Sequence, residues 1–387
     1  MVEGNTMYGI VSSKTPTPPP PPPNSLRRHR RAAAHPLYPA QPFFRIHHPD
    51  FLSHLLHRLP PSLSLSLPTR RSSPLSSSSS SSYAPATVIP PLISLSDPTP
   101  SLHSTLLSAA TQHGFFHLTH HPIPSHLLLS AESVAVSLVS LPYHQKQLLF
   151  PNNWPLGHEI EDDEDSVATP GAESFCLDSS CSAGSTNDLD LDLDLDPLRE
   201  FTREMEKLGL KVLEELASAV GFENPAPEGL QSQLWISGGT NKPGRVYPYV
   251  LGLHYQIRSQ KQSLLSDSGW VSVSGQTESV LVTLGDIAQV WSNGKLKKVR
   301  GRPSPSLDDA NNNPHCIMMS LLVTLPVDST VSPLIPDLVE NEEGGEHDFV
   351  NNNREQRLFN SFSFEDYAWR VYHEHLHLKD PLVRYRV

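Results

Sequence analysis

Two single-residue runs, six prolines at Pro18–Pro23 and seven serines at Ser76–Ser82, confine any folded core of this 387-residue chain to the residues beyond Ser82. Polyproline is extended and makes no internal hydrogen bonds. Serine runs bury too little apolar surface to offset chain entropy. The same stretch holds the basic cluster Arg27, Arg28, His29, Arg30 and Arg31, and only two acids, Glu3 and Asp50. Residues 1–85 are therefore expected to be a disordered Pro/Ser/Arg-rich tail. A Ser- and Arg-rich, acid-poor start also suits an organelle transit peptide. The compartment reads as cytoplasmic, with the chloroplast as the alternative. The basic cluster alone is too short to specify nuclear import.

Composition fits a core diluted by such sequence. Hydrophobic residues are 37% and charged residues 18%, against usual averages of about 45–50% and about 25%. Prolines number 38, about twice their ordinary share of roughly 5%. The net charge of −12 argues against general nucleic-acid binding. No apolar run reaches the length of about 18 residues that a membrane-spanning helix needs. Three cysteines, Cys176, Cys181 and Cys316, cannot make a disulfide framework and point to a reducing compartment.

Two further soft stretches interrupt the core. Glu159, Glu161, Asp162, Asp163, Glu164 and Asp165 form an acidic run, and Asp and Leu alternate from Asp188 to Asp196. Aspartates on one strand face would repel, and Asp is depleted in strands, so 156–195 is expected to be an acidic flexible loop. It lacks the ligand spacing and turn glycine of a calcium loop. Residues 336–362, with Glu342, Glu343, Gly344, Gly345 and Asn351–Asn353, read as a second flexible loop. What remains is an N-terminal α/β region at 87–155, a central helix and β core at 196–335, and a C-terminal helix at 363–387.

Asp196-Pro197 opens the clearest helix, with Asp196 as a cap and proline at the first helical position. Leu198, Phe201, Met205, Leu208, Val212, Leu216 and Ala217 recur at helical spacing, and Gly221 closes it. From Trp235 the texture becomes that of strands: Tyr247–Ile257, Trp270–Val273, Ser279–Leu284 and Cys316–Leu325, separated by turns at Gly275, Gly285-Asp286, Ser292-Asn293-Gly294 and Asn311–Asn313. Short strands at this spacing build a sandwich or barrel. A closing helix is expected from about Phe364 to His377.

In this order the segments resemble the plant 2-oxoglutarate- and Fe(II)-dependent dioxygenases. Ile89-Pro90-Pro91-Leu92-Ile93-Ser94-Leu95 resembles the family's opening strand, and Gly114-Phe115-Phe116-His117-Leu118 with Pro122-Ile123-Pro124 its GFF…NHGIP stretch. Leu141-Pro142 with Lys146 resembles its LP…K helix end. Arg245-Val246-Tyr247-Pro248 resembles N-x-Y-P, Gly252-Leu253-His254 resembles GLQ, and Trp270-Val271 the next strand. Leu284-Gly285-Asp286 with Ser292-Asn293-Gly294-Lys295-Leu296-Lys297 resembles GD…SNGxxK, and Phe364-Glu365-Asp366-Tyr367 the terminal helix. The resemblance implies a mainly β fold with flanking helices: a double-stranded β-helix, or jelly roll, partly truncated, behind the N-terminal α/β region.

It also implies a chemistry to test. Such enzymes hold Fe(II) by a His-x-Asp pair and a distant His, leaving positions open for 2-oxoglutarate and O₂. An Arg-x-Ser pair anchors the cosubstrate's far carboxylate, a task suited to a planar guanidinium. Here Pro248 is followed almost at once by Gly252, so the His-x-Asp segment is expected to be missing, a gap of about two dozen residues or two strands. The distal His position holds Gly301, and Lys298, Arg300 and Arg302 beside it would repel a cation. Counting back from Pro326, the Arg-x-Ser places hold Ile317 and Met319, or Met318 after a one-residue shift. Only Tyr247 and Arg245 are left as a remnant 2-oxoglutarate pocket. The expectation is a catalytically degenerate relative with no catalytic residue, metal ligand or cofactor. Its role would be to bind an unidentified protein or small molecule, without nucleic acid or membrane. A jelly roll short of two strands would expose sheet edges, which invite pairing with a second copy. The alternative is an active oxidoreductase on a small plant metabolite, with a non-standard metal site.

Other side chains offer weaker sites. His373 and His377 share a helix face at metal-compatible spacing, but a solvated face is the plainer reading. His117, His120 and His121 read as turn and surface residues. His254 with Gln256 imitates His-x-Asp in spacing, yet an amide is a poor substitute for a carboxylate. No nucleophile triad, activated cysteine or phosphate-cradling glycine loop is present. Lys295, Lys297, Lys298, Arg300 and Arg302 read as a charged surface edge, or else as a patch for an anion or partner.

Overall fold

The computed structural model describes residues 86–161, 172–183, 193–224, 229–238, 245–255, 261–276, 278–305, 317–334, 357–374 and 379–387. The expected tail at 1–85, most of the loop at 336–362, and His375 and His377 lie outside these residues.

In chain order the elements are β1 (Ala86–Val88), β2 (Leu92–Ser94), α1 (Thr99–Gln112), β3 (Phe115–Thr119), α2 (Ser125–Ser140), α3 (Tyr143–Leu149), β4 (Gly157–Glu161), β5 (Ala172–Asp178) and α4 (Asp196–Val220). Next come β6 (Gln231–Gly238), β7 (Leu251–Tyr255), β8 (Lys261–Ser266), β9 (Gly269–Ser274), β10 (Val280–Leu284), α5 (Asp286–Trp291), β11 (Val299–Pro305) and β12 (Ile317–Thr324). The short pair β13 (Thr330–Val331) and β14 (Phe362–Ser363), α6 (Phe364–His373) and a 3₁₀ turn at Pro381–Tyr385 complete the chain.

The helix read from the sequence is α4. Pro197 stands in its first turn, and Gly221 ends it in the left-handed region at φ 81°. Leu198, Phe201, Met205, Leu208, Val212 and Leu216 are all buried. Burying such side chains stabilises the packing by about 1.5–3 kcal/mol each relative to exposure. The capping differs from expectation: Asp196 is itself helical, and its N–H donates to Asp194 Oδ1 at 2.9 Å.

Two sheets form the β core. The larger runs β2-β3-β10-β7-β12-β6-β5-β4 and the smaller β1-β9-β8-β11. The helices lie against one face of the larger sheet. A Cβ placed on Gly209 of α4 would touch Leu253, Val323 and Leu251. Side chains alternate along a strand, so Gly252, His254, Ser320 and Thr283 point the other way, into the space between the sheets. Phe115, Leu264, Val271, Val273, Leu281 and Val299 pack in that space. This is the jelly roll with flanking helices that the sequence implied.

The acidic stretch is a correction. Residues 157–161 and 172–178 are strands, with Cys176 paired to Gly157 and to Trp235. Buried Phe175, Cys176 and Leu177 on β5 supply the apolar surface that outweighs the poor strand propensity of the acids beside them. Residues 162–171 and 184–192 lie outside the described residues. Among the described residues no single helix is long and apolar enough to cross a membrane.

Candidate functional site

Tyr249 stands between the two sheets. Its hydroxyl lies 3.0 Å from Thr283 Oγ1, and its one proton is within reach of two acceptors on β11, the carbonyls of Val299 (2.9 Å) and Gly301 (3.1 Å). From Thr283 the chain of contacts continues to His254 Nε2 at 2.9 Å, and His254 Nδ1 meets Ser320 Oγ at 2.8 Å. Tyr249, Thr283, His254 and Ser320 are each 1% exposed or less. These four polar side chains, each with a partner, thus share the interior of the barrel with the apolar cluster. Burial drives the pKa of His254 down to about 3, with the nearby Arg302 charge adding to the effect, so the imidazole is neutral. Burial likewise pushes the Tyr249 phenol up, out of reach of ionisation. Space around His254 is tight. A Cβ on Gly252 would lie 2.8 Å from its Nε2 and 2.7 Å from Thr283 Oγ1.

At the mouth of this interior Gly301 turns at φ 67°, a left-handed conformation that favours glycine. A Cβ there would meet Val246 Cγ2 at 3.3 Å. From there Arg245–Val250 leads directly into β7, and no His-x-Asp lies between Pro248 and Gly252. In the smaller sheet β11, which carries Gly301, is an edge strand paired only with β8. Pro248 accepts through its carbonyl from Thr324 Oγ1 at 2.9 Å. Among the described residues no three His, Cys, Asp or Glu side chains cluster to hold a metal ion.

The anchor position shifts as well. Ser320 faces the interior, so Met318, two residues before it, does too, while Met319 packs with the helix-side core. The inward pair is therefore Met318 and Ser320, not Ile317 and Met319. Met318 stands where an anchoring arginine would.

The two remnant contacts diverge. Tyr247 is 1% exposed, and its ring lies among Trp154, Trp235 and Phe364 at centroid distances of 6.1–6.3 Å. Arg245 turns outward, over the face of Tyr372 at 5.1 Å. Neither reaches the His254 chain.

The other expected residues also find places. His117 is a correction: it is buried on β3, with Nε2 3.1 Å from the Ser274 carbonyl and Nδ1 3.1 Å from Ser279 Oγ. His120 contacts Ser94 Oγ at 3.0 Å. His373 stacks on Trp369 at 4.4 Å. The basic stretch is not one surface edge. Lys298 is fully buried, 2.9 Å from Asp286 Oδ1 and 2.6 Å from Asp380 Oδ1, and the Tyr367 hydroxyl donates to Asp286 Oδ2 at 2.8 Å. Arg302 lies over Trp235 at 3.9 Å. The GD…SNGxxK motif is thus a structural corner: Asn293 Oδ1 accepts from the Leu358 N–H, and Asp286 holds Lys298. Sequence reading missed the Tyr249–Thr283–His254–Ser320 chain. The only signal was a polar residue within each of three mainly apolar strands: His254 in β7, Thr283 in β10 and Ser320 in β12.

Comparison with known proteins agrees with the fold. The sequence model described as non-haem dioxygenase in morphine synthesis N-terminal matches residues 90–163. Gibberellin 2-beta-dioxygenase 1 of Arabidopsis thaliana is 24% identical over 316 residues, covering 74% of this chain and 89% of the relative. A dioxygenase for auxin oxidation from rice superposes with a TM-score of 0.58 at 20% identity, over 77% of this chain and 99% of that one. JOX2, solved in complex with 2OG, Fe and JA, superposes with a TM-score of 0.57 at 15% identity, over 74% and 86%. That neighbour overturns the expectation that no cofactor is involved, because the shared fold holds 2OG and Fe there. Fe(II) and 2-oxoglutarate are thus the groups against which this interior is to be judged. The described residues at 301 and 318, glycine and methionine, do not fit them.

Proposed function

We propose, for a chain that belongs to the 2-oxoglutarate- and Fe(II)-dependent dioxygenase family, a catalytically degenerate, dioxygenase-like protein with a binding or regulatory role. One observation carries the reading. The distal ligand position carries Gly301, the anchor position carries Met318, no His-x-Asp lies between Pro248 and Gly252, and the buried His254 is engaged by Thr283 and Ser320. Aliphatic and backbone-only positions cannot replace imidazole and carboxylate as ligands. A neutral His254 enclosed by hydroxyls is a packing element, with no path to substrate.

The role that remains is recognition by the preserved scaffold of a protein or a small molecule. Pairing with a second copy would use β11, the seven-residue edge of the smaller sheet, rather than the three-residue edge β2, since short edges are poor templates for another strand.

The test uses the full natural chain, purified without added metal, then supplied with Fe(II), ascorbate, 2-oxoglutarate and air. Iron content and succinate are measured. The expected result is no succinate above the protein-free blank. Near-stoichiometric iron with succinate formation would overturn the reading. It would also mean that ligands come from 239–244, 256–260 or 306–316, outside the described residues, where Asp308, Asp309 and His315 stand in the sequence.

A further inference from the structure

A cavity lies outside the barrel. Its volume is about 520 Å³, and Tyr143, Gln147, Asn152, His158, Glu159 and Arg245 line it. Sites for small molecules commonly run to about 300–1,000 Å³.

The cleft brings opposite charges together as a loose ion pair. Arg245 Nε and Glu159 Oε2 are 3.9 Å apart, beyond hydrogen-bond length. Both atoms are buried and neither has a hydrogen-bond partner of ordinary geometry among the described residues, although the Tyr372 phenol, its pKa raised by burial, is close enough to Glu159 for the carboxylate to push that pKa up further. Buried polar atoms are ordinarily paired. Each charge is nevertheless held in place. Glu159 Oε1 accepts from Asn152 Nδ2 at 3.0 Å, and the Arg245 guanidinium lies on the Tyr372 ring. His158, 1% exposed, closes one wall, with Nδ1 3.2 Å from Gln147 Nε2. Its Nε2 faces Glu173 Oε1 at 3.4 Å. Behind it Glu173 is occupied by Lys146 at 2.5 Å. Burial alone would raise the Glu173 pKa, but contacts with His158 and Lys146 outweigh it and keep the group ionised. That pair is closed, which leaves Arg245 and Glu159 as the charges the cleft offers.

We propose that this cleft binds a small zwitterion, a molecule with a carboxylate and an ammonium group on neighbouring carbons, of the α-amino-acid kind. The carboxylate accepts from Arg245 Nε, and the ammonium donates to Glu159 Oε2. A simple anion would satisfy Arg245 but face Glu159, and a simple cation would meet the reverse conflict. Groups already fixed in position lose little freedom on binding, which favours a small ligand. The remaining volume, beside Tyr143, accommodates a side chain. This inference stands on the cleft alone and does not depend on what the barrel holds.

The test is calorimetric titration of the full chain with each of the twenty common L-amino acids. The tightest binder is then compared with its deaminated acid, its decarboxylated amine and 2-oxoglutarate. At least one amino acid is expected to bind with a Kd below about 1 mM, and the stripped analogues at least about tenfold more weakly. Arg245→Gln and Glu159→Gln should each weaken the amino acid by about tenfold or more. The analogue comparison uses the unaltered protein, so it decides the matter even if a variant misfolds. No saturation by any amino acid up to about 10 mM overturns the proposal. So does equal binding of the deaminated acid or of 2-oxoglutarate, which would mark a plain anion site.

Discussion

Val246 and Gly301 face each other across the mouth of the barrel, so closely that a Cβ on the glycine would stand 3.3 Å from Cγ2 of the valine. Gly301 also sits at φ 67°. Gly301→Ala is therefore expected to lower stability by about 1–2 kcal/mol, through backbone strain and the new contact together. Urea unfolding of this variant, of Val246→Ala and of the double variant separates the parts. The double variant should recover the steric share and leave the backbone share, giving a non-zero coupling. Strictly additive effects would mean that the two residues do not touch.

The same contact predicts a place where two metal ligands can be introduced. A chain carrying Val246→His and Gly301→His should bind Co(II) more tightly than the unaltered protein, read as visible absorption. Histidine tolerates a positive φ better than branched residues do. A folded double variant with unchanged Co(II) affinity would show that 246 and 301 do not converge.

His254 makes stability depend on pH in a definite direction. Its folded pKa is about 3, against 6.5 when exposed. The unfolded chain takes up this proton first as pH falls. The stability tied to the neutral imidazole is therefore present above pH 6.5 and is lost as pH drops toward 3, by up to about 1.4 kcal/mol per pH unit. His254→Gln keeps a polar side chain and removes the titration. Its stability should vary less between pH 6 and 4, measured by urea midpoints. Parallel profiles for the two proteins would contradict a buried neutral histidine.

Lys298→Met should be among the most damaging single changes, at about 3–5 kcal/mol, because it leaves Asp286 and Asp380 buried without their cation. The Lys298 charge and hydrogen bond keep Asp380 ionised against the opposing effect of burial. The 3₁₀ turn at Pro381–Tyr385 comes directly after Asp380, so the variant should also lose the C-terminal segment early in limited proteolysis. A variant as stable as the parent would place Lys298 in solvent.

Removing the Tyr249 hydroxyl tests the interior chain. Tyr249→Phe strips a donor from the carbonyls of Val299 and Gly301 and should cost about 1–3 kcal/mol. A neutral effect would mean that water reaches those carbonyls.

The sequence was most legible where a pattern repeats within one element. The buried stripe of α4 and the strands β9, β10 and β12 follow from spacing alone, because period 3.6 and period 2 fix which side chains share a face. Reading failed where the decision lay with a distant strand. Acids argued for a loop at 156–195, yet β5 gains enough from pairing with β6 to become a strand. Lys298 sits in a run of cations that looks like a surface, and only the approach of Asp286 and Asp380 buries it. Counting from Pro326 landed one residue from the inward face of β12, since a one-residue slip exchanges the two faces.

Residue order alone settles the succession of elements, the family they resemble, and the presence of glycine at 301 and methionine at 318. These rest on residue identity and local periodicity, which need no partner. Packing in three dimensions was required to bring Val246 beside Gly301, to enclose His254 in its neutral form, and to set Arg245 and Glu159 in one cleft. Such relations depend on strand register and on charges brought together from remote segments, and no local pattern encodes them.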